Sequence, residues 1–211
     1  MDGNTYVATK ATAMGVVSST NDFMKVNFND EVAKIVNQHA AGSVVAAIAA
    51  MFPGAGPTIC MVAQTTLVYT MYVRMNRALN ISLSKNVVKA LASAVIANLV
   101  SNVGSMILGV VGATVLSFIP GIGNYASSLT MVALGYATVM IAALCYGKAL
   151  LRMTKAGRNV EQMTEEEIKN AVKEEMDARD LQADVKAFSK AYKQGRKDGT
   201  FTGEETVTME D

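Results

Sequence analysis

Hydrophobic positions along the chain form two long blocks, each broken once by a proline–glycine cluster. The first break is Phe52-Pro53-Gly54-Ala55-Gly56-Pro57 and the second is Phe118-Ile119-Pro120-Gly121-Ile122-Gly123. Pro removes a backbone donor and clashes with the preceding helical turn, while Gly supplies positive φ. Each cluster therefore ends one helix and turns the chain into the next. The pattern predicts helices over residues 28–52, 57–79, 84–118, 124–153, 164–178 and 180–195. Ser84 is the candidate N-cap of the third, and Thr164 with Glu167 forms a capping box for the fifth. Val, Ile and Thr are frequent, but the length of the runs and the absence of strict alternation argue against strands. The fold class is all-α: two apolar helical hairpins with turns at Pro53, Gly54 and Gly56 and at Pro120, Gly121 and Gly123, plus a charged C-terminal helical extension. An offset of 67 superimposes Pro53 on Pro120, Gly54 on Gly121, Gly56 on Gly123, Leu67 on Leu134 and Tyr69 on Tyr136, which reads as a diverged internal repeat.

Charge sharpens this division. Between Lys89 and Lys148 lie 58 residues without one Asp, Glu, Lys or Arg, and Ile35 to Val73 is a second such run of 39. The last 64 residues hold 26 of the 37 charges. The chain therefore divides into a polar N-terminal arm (1–27), read as loose because it shows no sustained period, an apolar double-hairpin domain (28–153), a charged helical extension (154–198) and a disordered tail (199–211). The opening Met1-Asp2-Gly3-Asn4 lacks the basic and apolar regions of a secretory signal.

A bilayer-spanning helix needs about 20 predominantly apolar residues. Ala90 to Ile119 and Asn124 to Gly147 meet that length, whereas the first hairpin is strongly apolar only from Ala40 to Phe52. The basic residues Arg74, Arg77, Lys85 and Lys89 flank one side of the second hairpin, Lys148 and Arg152 the other, and both turns are uncharged. With basic flanks cytoplasmic, both hairpins enter the membrane from one side and return to it. Small residues at Ser93, Ala97, Ser101, Ser105, Gly109, Ala113 and Ser117 recur every four positions, a stripe that lets a second backbone approach. Its candidate partners are the descending helix, through Ala133 and Ala137, or a second copy of the chain. Asn98, Asn102, Ser127, Ser128, Thr130 and Thr138 make these runs less apolar than a Leu-rich span, so a buried hairpin in a soluble bundle stays open.

In the extension, Ile168, Val172 and Met176, then Leu181, Val185, Phe188 and Tyr192, form an apolar stripe that docks on another surface. That surface is either the chain's own helices or another protein engaging residues 164–195. The acidic run Glu165-Glu166-Glu167 suits a helix N-terminus. Lys186, Lys190, Lys193, Arg196 and Lys197 form a basic stretch.

Composition then narrows function. The chain is 51% hydrophobic and 18% charged with a net charge of +1, which excludes a disordered chain and gives no global field to attract nucleic acid. Gly54-Ala55-Gly56-Pro57-Thr58 lacks the lysine of a phosphate-binding loop. His39 is the only histidine, has no acidic residue nearby in sequence, and reads as a helix-surface or interfacial residue. Cys60 and Cys145 have no second Cys or His at ligand spacing. No catalytic, cofactor or metal set can be assembled, and the chain is expected to be non-enzymatic.

The tandem Pro-Gly hairpins, the Asn80-Ile81-Ser82-Leu83-Ser84 linker before a long helix, and Ile119-Pro120-Gly121-Ile122-Gly123 followed by an apolar helix ending near Tyr146-Gly147-Lys148 resemble a bacterial family. It is the helical membrane-associated domain of unknown function often found C-terminal to Era-like GTPase domains. The resemblance covers about residues 35–153. It departs where the family has an Asp shortly after the first turn, since this chain reads Gly56-Pro57-Thr58-Ile59, and no GTPase domain lies within these residues. What the resemblance implies is a membrane-linked helical domain working beside a separately encoded GTPase.

The reading is thus a membrane-associated helical hairpin protein acting as a scaffold or partner, self-associating, in the cytoplasmic (inner) membrane with both termini cytosolic. Two alternatives stand beside it. One is a membrane-inserting pore former or remodeller, and the other is a soluble all-α adaptor.

Overall fold

The helices predicted for both apolar blocks are present in the computed structural model, which describes residues 17–49, 57–117 and 124–201, with 44–49, 57–61, 104–117 and 124–131 as backbone. Among these residues the chain forms α1 (17–27), α2 (Asp30–Ala49), α3 (Pro57–Ala78), α4 (Lys85–Ser117), α5 (Asn124–Lys155), a short 3-10 turn (Val160–Gln162), α6 (Glu165–Asp177) and α7 (Leu181–Lys197), and no strand. The turn residues Pro53, Gly54, Gly56, Pro120, Gly121 and Gly123 lie outside the described residues.

Helix ends are set by short polar side chains that satisfy the free N–H groups of a first turn. The Asn29 side-chain oxygen accepts from Val32 N at 2.8 Å, and Ser84 Oγ accepts from Val87 N at 3.3 Å. Thr164 and Glu167 close the capping box in both directions, and Asp180 caps α7 through Ala183 N at 3.0 Å. At the end of α3, Asn80 takes a left-handed conformation (φ 54°), which lets Ile81 N donate back to Asn76 O at 2.8 Å. That reversal is tight enough to send α4 back antiparallel to α3.

α5 is the central helix and packs on α2, α3, α4, α6 and α7. Every residue from Val139 to Gly147 is buried. Two hydrogen bonds fix α5 against α3: Tyr72 OH donates to Ala142 O at 3.0 Å, and Tyr146 OH donates to Asn76 Oδ1 at 2.6 Å. Both link residues 70 apart in sequence, so the two helices run side by side in the same direction. The rings of Tyr72 and Tyr146 stack between them at 4.1 Å. Since α2 and α4 are their respective antiparallel partners, the last turns of α2 and α4 and the first turns of α3 and α5 lie at one end of the bundle. The α3–α4 linker lies at the other end, where Ser82 N donates to Glu161 Oε1 at 2.6 Å.

Three features differ from the sequence reading. Residues 17–27 are not a loose arm but a helix, because Val17, Thr20 and Met24 sit at helical spacing and are buried. The corner between α1 and α2 can close on α5 because Gly147 has no side chain; a Cβ there would meet Met24 Cε at 3.1 Å and Phe28 Cε2 at 3.3 Å. The change in composition near residue 154 is not a packing boundary: Ile168, Val172, Met176, Leu181, Val185, Phe188 and Tyr192 belong to the same core as α2–α5. The apolar stripe of α6 and α7 thus finds its partner within the chain. Beyond α7, Gly199 (φ 79°) turns the backbone so that Phe201 folds back, its ring 5.1 Å from Tyr192 and 5.4 Å from Tyr136.

Candidate functional site

Among the described residues two helices are long and apolar enough to cross a bilayer, through Lys85–Val103 of α4 (19 residues) and Val132–Lys155 of α5 (24 residues). They differ in surroundings. The α5 segment is 78% buried inside the protein and the α4 segment 39%. Protein therefore sheathes the first, while α4 keeps an open face.

That open face carries the small-residue stripe. Ser93, Ala97 and Ser101 are exposed, and the inward positions are Val88, Leu91, Ala92, Val95, Ile96, Leu99 and Val103. The larger side chains turn inward because burying them removes more apolar surface from water. Ser105, Gly109, Ala113 and Ser117 continue along α4, their side-chain surroundings outside the described residues. Ala133 and Ala137 on α5 are buried, and Ser189 Oγ of α7 donates to Ala133 O at 3.2 Å. α7 thus reaches Ala133, while the α4 stripe at Ser93–Ser101 faces outward.

The basic flank gathers at the linker end of the bundle. Arg77, Lys85 and Lys89 are exposed there, with Arg74 and Lys148 half-buried. Arg152 is engaged by α6: its guanidinium lies 2.7 Å from Glu174 Oε2 and 3.4 Å from Glu175 Oε1, and it donates to Ala171 O at 3.0 Å. Arg152 therefore sits against the acidic helix that follows it, not on an unbroken basic surface.

A line of polar groups runs through the bundle interior. His39 is buried, not on the surface as its sequence neighbours suggest, with Nδ1 2.8 Å from Ile35 O. Burial lowers its pKa from the ordinary value, and the nearby Arg74 charge adds to this. One turn on, Ser43 Oγ donates to Ala40 O at 2.6 Å. Facing it from α3, Gln64 is 6% exposed, and neither its amide nitrogen nor its oxygen has a hydrogen-bond partner. Gly135 of α5 makes room for that amide; a Cβ there would come within 2.8 Å of Gln64 Nε2. Closer to the linker end, Asn76 accepts from Tyr146 while its own amide nitrogen is buried without a partner. Sequence reasoning passed over Gln64 and Asn76, although both are uncharged polar residues inside long apolar runs.

On the outside of α7, Lys186, Lys190, Lys193 and Lys197 recur at spacings of four, three and four, opposite the buried Val185, Phe188 and Tyr192. Desolvation against the helix lowers the Lys193 pKa.

Among the described residues no three His, Cys, Asp or Glu side chains come together as metal ligands, and Cys145 is a buried free thiol. A crevice of about 300 Å³ between α4 and the α6–α7 turn is lined by Asn102, Asp177, Arg179, Asp180 and Gln182. Arg179 is turned onto Asp184 at 2.6 Å, and of the two carboxylates in the lining Asp177 pairs with Lys173 and Asp180 caps α7. Comparison with protein-family models, with curated proteins and with solved structures gives no match.

Proposed function

We propose that the protein is a non-enzymatic, membrane-associated helical scaffold: a water-facing bundle whose two uncharged hairpin ends enter the bilayer. One observation carries this reading. The uncharged lengths of α2 and α3 and of α4 and α5 lead to the same end of the bundle, while the charges lie towards the other end and along α6 and α7. A molecule polarised in this way has one apolar end and charged sides, as a membrane-docked protein requires. Self-association across the exposed Ser93, Ala97 and Ser101 face belongs to the same reading, as does a separately encoded GTPase partner, which nucleotide-dependent co-purification would test.

The burial of Val132–Lys155 favours a second reading, a soluble all-α adaptor in which that helix is an ordinary core element. Fractionation of the expressed chain separates the two. Retention in the membrane pellet after carbonate, with release by detergent, supports the scaffold. A soluble, monodisperse chain without detergent supports the adaptor and refutes membrane insertion.

A further inference from the structure

The contacts of α7 define a level along the bundle. Ser189 Oγ reaches Ala133 O at 3.2 Å, the Tyr192 ring lies 5.2 Å from that of Tyr136, and Phe201 lies 5.4 Å from the same ring. The last turns of α7 therefore stand beside residues 133–136 of α5. From there towards the hairpin end, neither α4 beyond Val103 nor α5 before Val132 contains a charged residue. The basic end of α7 thus marks the boundary between charged and uncharged parts of the molecule.

Its dimensions match one leaflet. At 1.5 Å per residue, Ala133 stands about 14 Å from the start of α5 at Asn124. Half of a hydrocarbon core about 30 Å thick is about 15 Å. Entry of the helix ends to the bilayer midplane brings Ala133–Tyr136, and with them the end of α7, to headgroup level. A full crossing would instead carry the α7 charges into hydrocarbon, where their desolvation opposes it.

The α7 surface at that level is basic. Lys190 and Lys197 are exposed on the outward ridge, with Lys193 between them and Arg196 beside it. Asp184, the acid within α7, pairs with Arg179 at 2.6 Å, and Asp198 at its C-cap accepts from Thr200 Oγ1 at 2.7 Å. We propose that the outward ridge of α7, formed by Lys190, Lys193 and Lys197 with Arg196 beside it, is a docking surface for anionic lipid headgroups that holds the hairpin ends in a single leaflet. The proposal rests on the membrane reading above and adds to it the lipid class and the depth.

The test is flotation of the full-length protein, diluted from detergent, with vesicles of phosphatidylcholine alone and of phosphatidylcholine mixed with phosphatidylglycerol, at low and high salt. The expected result is about 10- to 100-fold tighter binding to the anionic vesicles at low salt, because each Lys or Arg at an anionic surface strengthens binding several-fold. Salt should erode that preference. Lys190→Gln with Lys197→Gln changes two exposed positions and should remove most of the preference while leaving binding to neutral vesicles unchanged. Lys169→Gln with Lys173→Gln on α6 removes equal charge and should leave the preference intact. Equal binding of the wild type to both vesicles overturns headgroup docking while leaving insertion standing. So does a preference that survives in the α7 variant or falls equally in the α6 variant. Failure to float with either vesicle overturns the membrane reading and the docking proposal with it.

Discussion

Replacing Gln64 by Met should stabilise the protein. Gln64 is buried against Ser43 and Gly135, and both polar atoms of its amide are without partners. A buried polar group with no hydrogen bond costs about 1–3 kcal/mol relative to its hydrated state. Met keeps the length of the side chain and removes both polar atoms, at the cost of one heavy atom of packing, worth about 1 kcal/mol. The net gain is on the order of 2 kcal/mol, which for a chain of this size raises Tm by about 4–8 °C. Thermal unfolding followed by far-UV circular dichroism, in one buffer or detergent for all variants, reads this directly. Gly135→Ala supplies an internal control. In the wild type the new methyl meets the amide at 2.8 Å, and overpacking of about 1–3 kcal/mol outweighs the gain of about 1 kcal/mol in helix propensity. In a Gln64→Ala background the obstruction is gone and the same change should stabilise. A lower Tm for Gln64→Met would refute the reasoning, since the amide would then be contributing hydrogen bonds to the folded state. An unchanged sign for Gly135→Ala in the two backgrounds would refute the contact.

Three other outcomes follow from the interior and from the caps. Tyr146→Phe leaves Asn76 Oδ1 buried without its donor and should cost about 1–3 kcal/mol, read as a lowered denaturant midpoint with unchanged slope. His39 has a folded pKa below its ordinary 6.5, so as pH falls the unfolded chain takes up a proton first. Stability should be full above about pH 6.5 and decline below it towards the folded value, and His39→Leu should flatten that slope; an unchanged slope would place His39 in water. Glu167 has a lowered pKa because the Thr164 backbone N–H and hydroxyl donate to it, with Arg158 adding to the effect. The support it gives α6 is therefore present above its ordinary 4.5 and lost as pH falls through the lower folded value, a dependence that Thr164→Ala should weaken in melts taken across that range.

The sequence was most legible where one physical signal dominated. Pro53, Pro120 and the glycines beside them lie outside the described residues, but helices stand before and after each cluster, where the pattern predicts them. Ser84 and the Thr164–Glu167 pair marked true helix starts because capping is a local interaction. It was least legible where partner and depth mattered. The Ser93–Ser101 spacing says that a close approach is sterically open, but only packing shows that these positions face outward and that α7 occupies Ala133. α1 was missed because 11 residues rich in Ser, Thr, Asn and Asp bury little, and Met24 gains its place from Gly147, more than 100 residues away. His39 was read as a helix-surface or interfacial residue because its sequence neighbours contain no partner, whereas a buried histidine satisfied by Ile35 O on its own helix needs none.

The two tyrosine hydrogen bonds between α3 and α5 have a mechanical consequence. Tyr72 on α3 donates to α5, and Tyr146 on α5 donates to α3, so the tie runs in both directions. Sliding one helix past the other by a single turn, about 5.4 Å, would break both bonds and unstack the rings between them. α3 and α5 are therefore latched at a common height, and an axial force on one is shared by the other. Any axial displacement of one of these helices moves the other with it as a single strut.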